Sequence, residues 1–158
     1  MEGVPVSHSH VFMTELVLPN DTNQLGNLLG GRLMHWIDIA AAIAAQRHCG
    51  RVCVTASVDE LDFHTPIKLG EIVTLKASLN RAFRSSMEVG VLVTAQGLGS
   101  DLERRANNAY LTFVAIDDHG RPVPVQPVFP KTGDEKRRYE EALVRRDLRL
   151  QRRQPSPK

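Results

Sequence analysis

At 158 residues the chain has room for one domain with a full core and little room for two, since domains run about 100 to 200 residues. Hydrophobic residues make up 42% and charged residues 24%, a balance that excludes an intrinsically disordered chain. The net charge of +2 hides an asymmetry: residues 1–133 hold 11 Lys/Arg against 13 Asp/Glu, whereas residues 134–158 hold 9 against 5.

A globular body over 1–133 followed by a basic helix and tail over 134–158 fits this division. A solvated helix accounts for the basic end without a nucleic-acid partner. No basic segment precedes a long apolar run at the start, and no stretch reaches the roughly 18 apolar residues of a membrane span. A cytoplasmic protein is expected. Cys49 and Cys53 form neither a CxxC pair nor half of a zinc site, and are read as reduced packing thiols.

Taken in order, residues 8–18 (HSHVFMTELVL) are rich in β-formers and end at the turn cluster Pro19-Asn20-Asp21-Thr22-Asn23, which predicts a strand and then a loop. The loop runs through Gly26-Asn27-Leu28-Leu29-Gly30-Gly31 into a segment where Leu33, Ile37, Ala41 and Ala44 recur at helical spacing. Gly50 is the expected C-terminal cap. A second face of this helix, Asp38, Ala41, Ala42 and Ala45, is nearly all small.

Strand periodicity follows. Val52, Val54, Ala56 and Val58 share one phase, and Leu61 and Phe63 the other, which predicts a bulge near Asp59-Glu60. Val73, Leu75, Ala77 and Leu79 define the next strand, Met87 to Ala95 another, and Ala109 to Ala115 the last, before the turn Asp117-Asp118-His119-Gly120. The Pro-rich stretch 121–130 is expected to be extended, and 134–150 to be a helix docking weakly through Tyr139, Leu143 and Leu150, or meeting another subunit. One helix on about five strands with short antiparallel connections is an α+β class. Its exposed sheet edges favour a dimer.

Several chemistries lack a required residue. Gly26 to Leu33 nearly matches a phosphate-binding loop, but Arg32 replaces the lysine and Leu33 has no hydroxyl. No serine lies in GxSxG. His8 and His10 alternate without a second ligand cluster, and His35, His48, His64 and His119 are scattered, so no metal is expected. What remains is the helix start. Gly30 and Gly31 leave N–H groups at the positive end of the helix dipole, a place for a carbonyl oxygen gaining charge. Asn27 lies just upstream, and Asp38 sits two turns in among Ala40, Ala41 and Ala42. One reading has Asn27 capping the helix and Asp38 bonded to a neighbouring backbone group; the other makes Asp38 a general base or nucleophile.

The stretches GNLLGGRLMHWIDIAAAIAAQRH (26–48), VTASVDELDFHTPIKLGEIVTLKASLNRAFRSSMEVG (54–90) and AYLTFVAIDDHGRPVPVQP (109–127) closely resemble the cytosolic and bacterial acyl-CoA thioesterases that include brain-type acyl-CoA hydrolase. The likeness covers about residues 8–150. It implies a hotdog fold, a long helix wrapped by an antiparallel sheet, in a dimer that often assembles into a trimer of dimers, a homohexamer. It implies fatty acyl-CoA as substrate and no cofactor, coenzyme A being part of the substrate. It makes Asn27 and Asp38 a catalytic pair contributed by different subunits, with Gly30 or Gly31 N–H polarising the thioester carbonyl. It puts coenzyme A against Arg84, Ser85 and Ser86, with Val58 and Phe63 flanking the pantetheine channel. The competing readings are a hotdog 3-hydroxyacyl-CoA dehydratase, which would need a histidine beside the site, and a non-enzymatic acyl-CoA sensor, which would need a DNA-binding element.

Overall fold

Runs of alternating apolar residues build an antiparallel sheet around one long helix. The computed structural model describes residues 3–59, 61–63 and 65–153. Among them the strands are β1 (Val4–Pro5), β2 (Val11–Leu16), β3 (Cys53–Asp59), β4 (Ile72–Ala82), β5 (Ser86–Gln96), β6 (Arg104–Ala115) and β7 (Val128–Phe129). The helices are α1 (Gly30–Cys49) and α2 (Gly133–Arg152). The main sheet is antiparallel in the order β2-β4-β5-β6-β3, and β1 pairs with β7 in a small parallel ribbon.

The period-two alternation puts Val73, Leu75, Ala77 and Leu79 of β4 and Met87, Val89, Val91, Val93 and Ala95 of β5 on the face toward α1. Leu33, Ile37, Ala40, Ala41, Ala44 and Ala45 of α1 meet them, all buried. Small residues along this face bring the helix backbone close to the sheet. Gly50 ends α1 in the left-handed conformation at φ 66°, as the glycine there predicts.

The first strand starts later than its composition predicts. Ser9 is fully buried; its hydroxyl donates to Val6 O at 2.7 Å and accepts from Leu79 N–H at 2.8 Å. This bonding holds Val6–Ser9 in a 3-10 turn, so a local side-chain bond has displaced strand pairing.

The phase change in β3 lies earlier than expected. The predicted bulge site reaches Glu60, outside the described residues, whereas the observed register shift falls between Thr55 and Ser57. Cys53 and Thr55 pair with Ala115 and Phe113 on the core face; beyond Ala56, Val58 takes that face opposite Leu111. Val54 therefore points away from Val58, not with it. Because β3 is an edge strand, Val54 and Val58 stay 45% and 39% exposed.

The outer face of the sheet is partly covered by α2, and not by weak apolar docking. Thr132 and Glu135 form a reciprocal capping box at its start. Ala142 is fully buried and Tyr139 half-buried, but Leu150 is exposed. Charged side chains make the main connections. Arg145 pairs with buried Glu88 at 2.7 Å, Arg149 with Asp59 at 3.0 Å, and the Arg81 guanidinium lies 3.9 Å from the Tyr139 ring centre. His64 and residues 154–158 lie outside the described residues.

Candidate active site

The loop ahead of α1 is closed by its own backbone. Asn23 N–H donates to Asn27 O at 2.8 Å, Gly26 N–H to Asn23 O at 3.0 Å, and Leu29 N–H to Asp21 O at 2.9 Å. The segment before β4 clips it from outside, with Leu28 N–H donating to Ile67 O at 2.6 Å and Leu69 N–H to Gly26 O at 2.9 Å. Arg32 of α1 pairs with Asp21 at 3.2 Å. These bonds fix the loop against the helix start before any ligand arrives.

Asn27 does not cap the helix. The N-cap position is Leu29, and no side chain caps there. The Asn27 Oδ1 atom is instead buried without a hydrogen-bond partner among the described residues, an arrangement that costs stability unless something uses it. Asn23 lies beside it. Its Oδ1 accepts from Leu25 N–H at 2.9 Å and from Asn27 N–H at 3.1 Å, which leaves the Asn23 amide NH2 as a donor.

Arg32 and Leu33 N–H both turn back to Leu29 O at 3.1 Å, so Gly30 and Gly31 N–H have no protein acceptor among the described residues. They point from the positive end of a twenty-residue helix. A cavity of about 350 Å³ opens here, lined by Asn23, Asn27, Gly30, Phe63 and Ile67 among others. The Phe63 ring lies 3.5 Å from where a Cβ on Gly30 would stand, so glycine leaves room for that ring.

Asp38 is half-buried two turns along α1 and does not line this cavity. Its Oδ1 accepts a hydrogen bond from the Thr55 hydroxyl of β3 at 2.7 Å. The bonded partner is thus a side chain of an edge strand and not a neighbouring backbone group. Such a bond orients the carboxylate while leaving its other oxygen available.

The remaining predicted positions are spread along the fold. Arg84 and Ser85 lie in the turn between β4 and β5, and Ser86 opens β5; Val125 N–H donates to Arg84 O at 2.9 Å and Ala115 N–H to Ser85 O at 3.1 Å. The eleven residues of β4, roughly 30 Å of strand, separate this turn from the Asn27 loop. Val58 lies on β3 facing the α1 side. One chain therefore gathers Asn27, Gly30 and Phe63, holds Asp38 in a second place, and carries the Arg84 turn at the far end of the sheet.

Asn23 and Thr55 were not singled out from the sequence. Asn23 reads as a turn former, and its four-residue spacing to Asn27 was its only signal. Thr55 has the opposite phase to the valines on which β3 was recognised.

One long helix packed in the curve of a five-stranded antiparallel sheet is the hotdog architecture. A family model described as "Thioesterase superfamily" matches residues 25–100. YkhA of Bacillus subtilis, described as an uncharacterized acyl-CoA thioester hydrolase, is 42% identical over 94% of this chain and 86% of its own length. A solved structure of acyl-CoA hydrolase from Staphylococcus aureus superposes with a TM-score of 0.91 at 40% identity, covering 96% of this chain and 93% of that one. Mouse acyl-coenzyme A thioesterase 11 is 43% identical over 90% of this chain, which spans only 24% of that longer protein. The fold is that of the hotdog acyl-CoA hydrolases. The chain belongs to the thioesterase superfamily, among its acyl-CoA hydrolases.

Proposed function

We propose that this chain hydrolyses fatty acyl-CoA to free acid and coenzyme A in the cytoplasm, at a site built between two copies. The observation that carries the composite site is the separation of Asp38 from the cavity shared by Asn27 and Gly30. A second copy paired through the exposed edge of β3 brings its own Asp38 and Thr55 toward that cavity, and its Arg84, Ser85 and Ser86 toward the coenzyme A phosphates. An acyl-CoA thioesterase 39% identical to this chain is described as hexameric, and a trimer of such dimers is the assembly proposed here.

In the reaction, Gly30 and Gly31 N–H receive the oxygen charge as the thioester carbonyl becomes tetrahedral. Asp38 takes a proton from water as the water oxygen bonds to the carbonyl carbon, and returns it to sulfur as the C–S bond breaks. An asparagine amide orients the water or the carbonyl. The acyl chain and pantetheine run past Phe63 and Val58.

Two neighbouring asparagines, Asn23 and Asn27, line the cavity. The S. aureus hydrolase has been solved as alanine mutants of one asparagine, one aspartate and one threonine, the asparagine mutant with coenzyme A. The order and separations of those three positions are repeated here by Asn23, Asp38 and Thr55, which supports Asn23 over Asn27 as the ligand-facing amide. Asn27 then holds the loop that presents it.

Thiol release from acyl-CoA of graded chain length decides the matter, with wild type, Asn23→Ala, Asn27→Ala and Asp38→Ala. Asp38→Ala is expected to lose about 10² to 10⁴ in turnover while the assembly persists. Full turnover in Asp38→Ala would overturn the proposal. The larger of the two asparagine losses identifies the amide. Mixing Asp38→Ala with the inactive asparagine variant is expected to restore activity, and no recovery after proven subunit exchange would return the site to one chain. Hydration of crotonyl-CoA would favour the dehydratase instead.

A further inference from the structure

We propose that Cys49 and Cys53 are a peroxide-responsive dithiol that closes to an intramolecular disulfide and, by doing so, disturbs the contact between Thr55 and Asp38. The two sulfurs stand 3.2 Å apart, and both thiols are free and half-buried. Spacing alone made them unremarkable, because three residues intervene where a redox pair usually has two.

The fold supplies what the spacing lacks. Cys49 is the last residue of α1, and the turn after it is locked by Gly50, whose N–H donates to Gln46 O at 2.7 Å. Cys53 opens β3, where its backbone is in register with Ala115 and Ile116 N–H donates to Val52 O at 3.0 Å. Both backbones are thus anchored with their side chains facing. Both sulfurs also lie near Arg51 O, at 3.7 and 3.5 Å. A disulfide of about 2.05 Å needs the sulfurs to approach by only about 1 Å.

The pair favours one thiolate. The hydrogen bond from Cys53 lowers the Cys49 thiol to about 6, against the opposing effect of its burial. The same bond, with burial, pushes Cys53 up. The bond between them favours Cys49 as the attacking group and Cys53 as the resolving thiol, since the thiolate is the nucleophile; the opposite order gives the same disulfide.

The chemistry balances with hydrogen peroxide as oxidant. Cys49 thiolate attacks one peroxide oxygen, the O–O bond breaks, and hydroxide leaves as a sulfenic acid forms. Cys53 sulfur then displaces the sulfenic oxygen, the S–S bond forms, and the Cys53 proton leaves in water. Two thiols and one peroxide give one disulfide and two waters. The loop so closed is very short, so the bond gains little from chain entropy and stays easily reduced, as in labile regulatory disulfides.

Its consequence for turnover rests on the proposed role of Asp38. Cys53 and Thr55 project from the same face of β3 toward α1, so pulling Cys53 onto the helix end shifts the strand that carries the Thr55 hydroxyl. A displacement of about 1 Å at a catalytic contact costs up to about 10²-fold in rate.

The test treats the purified full chain with hydrogen peroxide and reads free thiols by maleimide labelling and intact mass beside acyl-CoA turnover. Expected are the loss of both thiols and of two hydrogens in mass, with no chain-to-chain cross-link on a non-reducing gel. Turnover is expected to fall about ten-fold or more and to return with dithiothreitol. Cys49→Ser and Cys53→Ser should keep their turnover at the same dose, and dimedone should label Cys49 in the Cys53→Ser protein. Thiols that remain free, cross-links between chains, or equal inactivation of both serine variants would overturn the proposal. A disulfide without loss of turnover would overturn its link to Asp38, even where Asp38→Ala is inactive. If wild type hydrolyses no acyl-CoA, the functional reading fails, and the thiol and mass readouts still decide the disulfide.

Discussion

Replacing Arg145 by alanine tests how α2 is held to the sheet. Glu88 is 1% exposed on the face away from α1. Its carboxylate accepts from Arg145 Nη2 at 2.7 Å and Nε at 3.1 Å, and from Asn80 Nδ2 at 3.0 Å. Removing the guanidinium leaves a carboxylate where water does not reach, and an uncompensated buried charge costs about 3–5 kcal/mol. The same guanidinium lies 3.6 Å from the Tyr110 ring centre, a contact worth about 0.5–2 kcal/mol. Both losses follow from one truncation and are not additive, so about 4 kcal/mol is the expected total. At about 2–4 °C per kcal/mol for a chain of this size, Tm falls by about 8–16 °C. The assay is thermal and urea unfolding at one fixed protomer concentration, because assembly makes Tm depend on concentration. The double variant Glu88→Gln/Arg145→Met removes both charges and should recover most of the loss. A fall of less than about 1 kcal/mol, within the range of an exposed ion pair, or a double variant no better than Arg145→Ala, would refute this account of the docking.

Thr55→Val removes the hydroxyl that donates to Asp38 at 2.7 Å and is expected to lower turnover about ten-fold, the worth of one hydrogen bond to a charged group; Thr55→Ser should keep most activity in the same thiol-release assay. Gly90→Ala would bring a Cβ within 2.8 Å of Asn80 Nδ2, the donor that holds Glu88, so a loss of about 1–3 kcal/mol is expected on urea unfolding. Arg104 holds Glu71 below the ordinary carboxylate range, the effect of their hydrogen bond outweighing burial. The stabilisation is present above the unfolded glutamate's pKa and is lost as pH falls through the lower folded value. Arg104→Met should therefore flatten the acid limb of the stability profile below about pH 4.3, and an unchanged limb would contradict the pairing.

Period and composition made the sheet, α1 and its Gly50 cap legible, because these elements bury one face and the pattern of that face is written in the chain. The start of β2 was not legible, since one buried hydroxyl on Ser9 settles it through a bond to Leu79, seventy residues away. The docking of α2 was misread for a related reason. Arginines look like solvent-facing charge until a partner such as Glu88, itself in an apolar-looking strand, is placed beneath them. At the site, the glycines and Asp38 stood out as residues costly to place without a purpose. Asn23 and Thr55 carried no such cost, because a turn asparagine and a strand threonine are ordinary where they stand.

The early position of the β3 bulge explains why one edge strand meets both helices. Ahead of the bulge, Cys53 and Thr55 face α1, where they touch Cys49 and Asp38. The extra residue Ala56 reverses the phase, so Val58 takes the core side and Asp59 turns outward to Arg149 of α2. With unbroken alternation, Asp59 would share the side of Cys53 and Thr55, directing a carboxylate at the apolar helix, and Arg149 would lose its partner. A bulge at the predicted Asp59–Glu60 would come too late to prevent this. The shift at Ala56 thus lets β3 present a hydroxyl and a thiol to α1 and a carboxylate to α2 within seven residues, while its free edge remains available to a second copy.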